Sequence, residues 1–328
     1  MENKSKFNIQ LYIALVALFL FGIKLYAYLI TNSVAILSDA LESIVNIATG
    51  FFGLYSIYLS NRPKDKNHPY GHGKVEFISA GIEGTLILIA GILIIYNAWD
   101  GIQHPREVSK LSIGIWIMMG TAIINYAFGH LAIKNGEKAH SIALIASGKH
   151  LKSDTYSTLG ILIGLVVLKF TGLAWIDAAV ALVFALIIMY SGYVIIRKSV
   201  AGIMDEADAK LLQKLVKHIN KVRKAEWIDL HNLRIIKYGG ILHIDCHLTV
   251  PWYLNVREAH DLVDELEDQV RAKFGDQVEL FIHTDDCYEK SCKICSIQDC
   301  KVRNADFEKK ITWNVQNISI NSRHSLKS

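Results

Sequence analysis

No cysteine precedes Cys246 in this chain of 328 residues; the other four, Cys287, Cys292, Cys295 and Cys300, follow close behind one another near its end. That placement argues against a disulfide-built scaffold, and in a reduced compartment clustered thiols point to metal before disulfide. No HExxH or comparable hydrolytic signature occurs, so nothing supports a membrane-bound metallohydrolase or any other enzyme. No stripe of Arg and Lys with interleaved aromatics occurs either, which excludes nucleic acid as the expected partner. Paired histidines of the kind that hold a haem are missing from the apolar stretches, and no repeat of solenoid length is found. The first apolar stretch has no small-residue cleavage site after a short core, so it does not read as a signal peptide.

What the chain has in quantity is apolar length. Hydrophobic residues make up 52% of it, and the charges gather at the ends and in the last third. Segments near the roughly 20 residues that span hydrocarbon run over 10–30, 33–60, 76–98, 112–133, 146–169 and 174–196. Lys24 interrupts the first and is expected near an end or against another helix. Six spans are therefore expected. Lys4 and Lys6, then Arg62, Lys64, Lys66 and Lys74, then Lys134 and Lys138, then Arg197 and Lys198 fall on one side. The opposite loops carry only Arg106 and Lys110, balanced by Asp100 and Glu107, and an isolated Lys169. The positive-inside rule puts both termini in the cytoplasm, with the protein in an inner or plasma-type membrane. The net charge of +4 reflects these flanks.

After Asp205 the texture becomes that of a small water-soluble domain. Residues 207–222 carry leucines at helical spacing with lysines between them. Ile228–Lys237 and Ile241–Val250 read as strands around the turn signal Gly239-Gly240. Asn255 is placed to cap a helix running to Phe274, and Val278–His283 reads as a last strand. The expected fold class is an all-α six-helix transmembrane domain followed by a small α+β, ferredoxin-like (αββαβ) cytoplasmic domain. The division is 1–205, 206–286, and a tail, 287–328, with no periodicity or core of its own.

Polar side chains inside the spans carry the function. Glu42 and Asn46 lie one turn apart in the second span, and His150 and Asp154 repeat that spacing in the fifth. Residues at i and i+4 share a helix face, and an ionisable group at the bilayer centre costs roughly 3 kcal/mol even on the lenient scale. Two carboxylates, an imidazole and an amide can close around one divalent ion such as Zn²⁺. When the ion leaves, the same groups can take up protons, a physical basis for metal–proton exchange. Asp39, one turn before Glu42, is a further possible ligand, whereas Asp177 reads as a helix-start residue. The competing reading is a polar network that merely pins two helices.

The run Ser38-Asp39-Ala40-Leu41-Glu42-Ser43-Ile44-Val45-Asn46, the loop Asn67-His68-Pro69-Tyr70-Gly71-His72-Gly73-Lys74 with Glu76, and His150-x-x-x-Asp154 resemble the cation diffusion facilitator family. The likeness extends through the αββαβ pattern to His283-Thr284-Asp285. It implies a homodimeric antiporter that moves divalent metal out of the cytoplasm against protons, with the transport site at Glu42, Asn46, His150 and Asp154. It further implies an accessory metal site at Asp65, His68 and His72, and a charge pair between Lys74 and Asp205 near the dimer hub. It implies a binuclear site between cytoplasmic domains lined by His231, His247, His260, His283 and Asp285. Family members generally have Asp or His at the first position and Asp at the second in the span-two pair; Glu42 and Asn46 depart from both. Zn²⁺ is the leading expected substrate and structural or regulatory ion, with Fe²⁺, Mn²⁺, Co²⁺, Ni²⁺ and Cd²⁺ as rivals.

The spacing Cys287-x4-Cys292-x2-Cys295-x4-Cys300 points to metal in the tail. Zinc, an iron–sulfur cluster and free thiols all remain open, and the cluster reading would make the chain a membrane redox protein. Cys246 is expected to be packed as a small hydrophobe.

Overall fold

A computed structural model describes residues 2–60, 62–104, 108–138, 142–238, 241–275 and 278–326, with side chains described except at 2–14, 49, 53, 54, 57, 136–138 and 142–147. The Gly239-Gly240 turn, Arg106, Glu107 and the side chains of Lys4, Lys6 and Lys138 lie outside the described residues. The chain forms two units, residues 1–57 with 77–200, and 58–76 with 201–328.

The helices of the first unit are α1 (Glu2–Thr31), α2 (Val34–Ser60), α3 (Val75–Gln103), α4 (Leu111–Lys138), α5 (Ile142–Thr171) and α6 (Trp175–Ile203). Val34–Phe52, Val75–Gln103, Leu111–Asn135, Gly148–Thr171 and Trp175–Ile203 are long and apolar enough to cross a membrane, while the apolar described part of α1, Leu15–Thr31, is shorter. Their cores use small and aliphatic residues, including Ala27, Ala35, Ile94, Ile161, Leu165 and Ala181. Phe19, Trp99, Trp116, Ile163, Phe170 and Tyr190 point outward, the inverse of a water-soluble surface and what a hydrocarbon solvent requires.

Two local features set the helices that matter for the site. Asp177, buried at the start of α6, accepts from the Val34 amide at 2.6 Å and the Ser33 hydroxyl at 2.5 Å, and so caps α2 from another helix. On α4 and α5, a Cβ at Gly148 would meet the Gly129 carbonyl at 2.7 Å and one at Gly129 the Gly148 carbonyl at 2.9 Å. Only glycine permits this backbone approach, the small-residue packing typical of membrane helices.

The second unit contains α7 (Ala209–Val222), β1 (Asp229–Tyr238), β2 (Ile241–Val250), α8 (Val256–Phe274) and β3 (Val278–Asp286). The strands lie in the order β1-β2-β3, β1 antiparallel and β3 parallel to β2. The hairpin leads directly from β1 to β2; the parallel pairing of β3 needs the crossover that α8 supplies. Asn255 caps α8 in a reciprocal box with Glu258. Leu215, Leu230, Leu248, Leu266 and Val270 pack between sheet and helices, and Cys246 is buried among them.

The tail is anchored to the core of the second unit. After a 3-10 turn at Glu289–Lys293 it runs to α9 (Val315–Ile318), and Trp313 and Ile318 join the same hydrophobic core as the sheet. The Arg223 guanidinium lies 3.6 Å from the Trp313 ring centroid. Asn220 donates to the Trp313 carbonyl at 2.7 Å. Val315 packs against the same core between them; so short an apolar group after a polar stretch leaves no periodicity, and the pattern alone concealed it.

Candidate metal sites

Glu42 and Asn46 occupy successive turns of α2, and His150 and Asp154 successive turns of α5. The Asn46 amide nitrogen donates to both Asp154 oxygens at 3.4 Å, joining the two helices at the expected residues. His150 Nε2 lies 3.7 Å from Asp154 Oδ1; the Asp154 side chain is 14% exposed and that of His150 52%. Glu42 is half-buried one turn before Asn46. The contacts between the two pairs run through Asn46, Asp154 and His150, with Glu42 on the neighbouring turn of α2.

Asp39 is committed elsewhere. Its Oδ2 is 2.7 Å from Lys24 Nζ, with both side chains almost wholly buried, and its Oδ1 accepts from the Thr158 hydroxyl at 3.0 Å. Lys24 also donates to Ser43 at 2.9 Å. A metal could use Asp39 only by displacing Lys24. Of the two expected places for Lys24, near an end or against another helix, the structure shows the second; its partner was missed, although a lysine within an apolar run was the signal.

In the second unit, Asp65 Oδ1 accepts from the backbone amides of Asn67 at 2.9 Å and His68 at 2.7 Å, an Asx turn that brings the loop back on itself. The His68 amide holds the Asp65 carboxyl below its usual range. His72 Nε2 lies 3.3 Å from Asp65 Oδ2, and the rings of His68 and His72 are 4.4 Å apart. One ligating atom from each of the three residues falls within 4.8 Å of the others, and the buried His72 Nδ1 has no hydrogen-bond partner. Lys74 pairs with Asp205 at 2.9 Å and lies over the Tyr238 ring.

Strand register produces another cluster. His231 on β1 faces His247 on β2, which faces His283 on β3, so three imidazoles form one row across the sheet. Ring centroids are 5.0 Å and 4.7 Å apart along the row. Asp285, two residues beyond His283 and on the same face, has Oδ2 3.5 Å from His231 Nε2 and 3.3 Å from His247 Nδ1. His231, His247 and Asp285 place ligating atoms within 4.8 Å, a donor set that fits a borderline divalent ion. His283 is exposed at the end of the row, with Nε2 3.6 Å from Asp285 Oδ1. His260 stands apart on α8 with Asp264 at 3.7 Å. No motif or period pointed to Arg323, which donates to Asp285 at 3.0 Å and Asp286 at 3.3 Å. His324 likewise sits 2.6 Å from Asp229. The tail thus places a cation on the carboxylate that a metal at the histidine row would use.

The four tail cysteines line one cavity of about 320 Å³, together with Trp252, Tyr253, Tyr288 and Arg303. Burial pushes the thiols of Cys287 and Cys295 up. It pushes that of Cys246, packed in the core, to about 12.

Residues 11–204 match the cation efflux transmembrane domain, and residues 207–287 match the cytoplasmic domain of cation efflux proteins. Similar proteins include an uncharacterized transporter, sll1263, of Synechocystis, 30% identical over 77% of this chain and 82% of its own. The manganese efflux system protein MneS of Bacillus subtilis is 28% identical over 82% of this chain and 90% of its own. The cation-efflux pump FieF of Pectobacterium atrosepticum is 28% identical over 82% of this chain and 89% of its own.

Proposed function

This chain belongs to the cation diffusion facilitator family of integral membrane cation efflux transporters, and from that premise we propose that it exports a divalent transition-metal ion from the cytoplasm in exchange for protons. The working unit is a homodimer with six spans per chain, both termini cytoplasmic and a ferredoxin-like cytoplasmic domain. The observation that carries the proposal is the contact of Asn46 with Asp154, which joins the polar pairs of α2 and α5. The empty carboxylates and imidazole take the protons that a bound ion excludes. An arriving ion releases them, which links the two fluxes.

The substrate we favour is Mn²⁺ over Zn²⁺. Glu42, Asn46 and Asp154 contribute oxygen and only His150 contributes nitrogen, and an oxygen-rich set suits harder ions. The manganese efflux relative supports the same ranking. The imidazole and two carboxylates keep Zn²⁺ as the rival. Competitive uptake of Mn²⁺ and Zn²⁺ by proteoliposomes tests this: Mn²⁺ should be carried in preference, and Asn46→His, which exchanges an oxygen donor for an imidazole, should raise the Zn²⁺ share. Preferential Zn²⁺ flux through the unaltered protein would reverse the assignment.

In the cytoplasmic domain, metal at His231, His247 and Asp285, joined by His283 and by His260 of the dimer, would favour one arrangement of the two domains and link cytoplasmic metal level to transport. Replacing His247 and His283 by Ala should abolish the metal dependence of the transport rate; an unchanged dependence would remove this regulatory step.

A further inference from the structure

The matched cytoplasmic domain ends at residue 287, so Cys292, Cys295 and Cys300 lie beyond both family matches and Cys287 at the very end of one. Cys287, Cys292, Cys295 and Cys300 nevertheless face one cavity, and none is in a disulfide. Each is held by backbone. The Cys287 amide donates to the Val250 carbonyl at 2.9 Å, which fixes the first thiol to the end of the sheet. Cys292 and Cys295 are the two ends of one tight turn, in which the Ile294 amide donates to Ser291 at 3.1 Å and the Cys295 amide to Cys292 at 3.4 Å. Cys300 follows in a second turn, closed by the Arg303 amide on its carbonyl at 3.4 Å.

Arg303 organises the wall. Its guanidinium donates to the carbonyls of Cys292 at 2.9 Å, Cys295 at 3.1 Å, Ile297 at 2.6 Å and Ala305 at 3.2 Å. One side chain therefore sets the backbone around the thiols and brings a fixed positive charge to the cavity. The apolar support is small: Ile228, Ile294 and Cys295 are its buried members. So small a cluster is a weak basis for fixing an irregular segment, and small folds in this situation use a metal or disulfides.

We infer that the four cysteines hold one Zn²⁺ in a closed tetrathiolate site, which pins the segment after β3 to the sheet. Four thiols give up four protons as four zinc–sulfur bonds form, leaving a complex of net charge −2 that Arg303 partly offsets. Thiolates select Zn²⁺ strongly against Mn²⁺, whereas the oxygen-rich set of α2 and α5 does not. The site is therefore filled independently of the transported ion, and its metal is structural, not cargo. The inference does not rest on which ion is transported.

The test uses the full chain purified in detergent under reducing conditions, without added metal. Bound metals and acid-labile sulfide are measured before and after dialysis against a chelator, beside Cys292→Ser/Cys295→Ser. About one zinc per chain should survive dialysis, without sulfide, and be lost from the double variant. Because that variant can fail to fold, the intact protein is also titrated with a mercurial. Zinc should be released as Cys287, Cys292, Cys295 and Cys300 react, and alkylation mapped by mass should reach all four only after release. Iron with stoichiometric sulfide, disulfides among the four, equal zinc in the double variant, or alkylation of all four before metal release would each overturn the assignment.

Discussion

Replacing Lys24 with Met tests the buried pair beside the proposed transport site. The substitution keeps the length and apolar stem of the side chain and removes only the ammonium. Lys24 and Asp39 are 2% and 1% exposed at 2.7 Å, and Coulomb attraction at that distance is about 6 kcal/mol gross for an effective dielectric near 20. Desolvation of the two ions cancels much of this, so the net worth of the pair is small. Removing one partner is another matter. Among the described residues Asp39 would keep only the Thr158 hydroxyl at 3.0 Å, and an uncompensated buried carboxylate costs about 3–5 kcal/mol. Asp39→Asn in the same chain removes the stranded charge and should restore most of the loss, a coupling of about 2–3 kcal/mol. Unfolding by SDS from mixed micelles, followed by tryptophan fluorescence, reads these differences. A loss below about 1 kcal/mol for Lys24→Met, or a double variant with the summed loss of the two single ones, would refute the reasoning.

Arg323→Ala should tighten metal binding at the histidine row about fivefold, since the competing cation on Asp285 is worth about 1 kcal/mol at a partly exposed site; calorimetric titration of the full protein measures it. Trp313→Ala should destabilise the second unit by about 3–5 kcal/mol, read as loss of protection in hydrogen exchange across β1 and α7, because the ring is 2% exposed within their core. Asp208 caps α7 by accepting from the Leu211 amide at 3.0 Å and pairs with Lys237 at 2.5 Å. The Lys237 ammonium, ahead of that amide, holds its carboxyl below the usual range. A depressed native value means that this stabilisation is complete above the unfolded carboxylate value and lost as pH falls through the native one. Asp208→Ala should therefore cost about 1 kcal/mol near neutral pH and converge with the parent in acid, as chemical unfolding at several pH values would show.

The parts of the fold that were legible are those with a period. Leucine spacing located α7, alternation located β1 and β2, and Asn255 marked the start of α8 three residues before Glu258, the second half of its cap. The same period sets which face of β2 carries His247. It gave no strand register, and register is what makes a row of His231, His247 and His283. On α2 and α5 the i, i+4 pairs were visible because such residues are costly in hydrocarbon. Lys24 stood out for the same reason, but a uniformly apolar helix has no moment to show which neighbour it faces, so its pairing with Asp39 was not legible. Arg323, His324 and Trp313 act at the ends of an aperiodic segment on residues far away in sequence, contacts that no local pattern encodes.

The most direct measurement is metal flux into proteoliposomes under an imposed pH gradient, with an Asp154→Ala protein reconstituted in parallel. Metal uptake that rises with the gradient, moves protons in the opposite direction and disappears in the Asp154→Ala vesicles is the predicted result. Uptake that ignores the gradient, or that persists undiminished without the Asp154 carboxylate, would contradict proton-coupled export through the α2–α5 site.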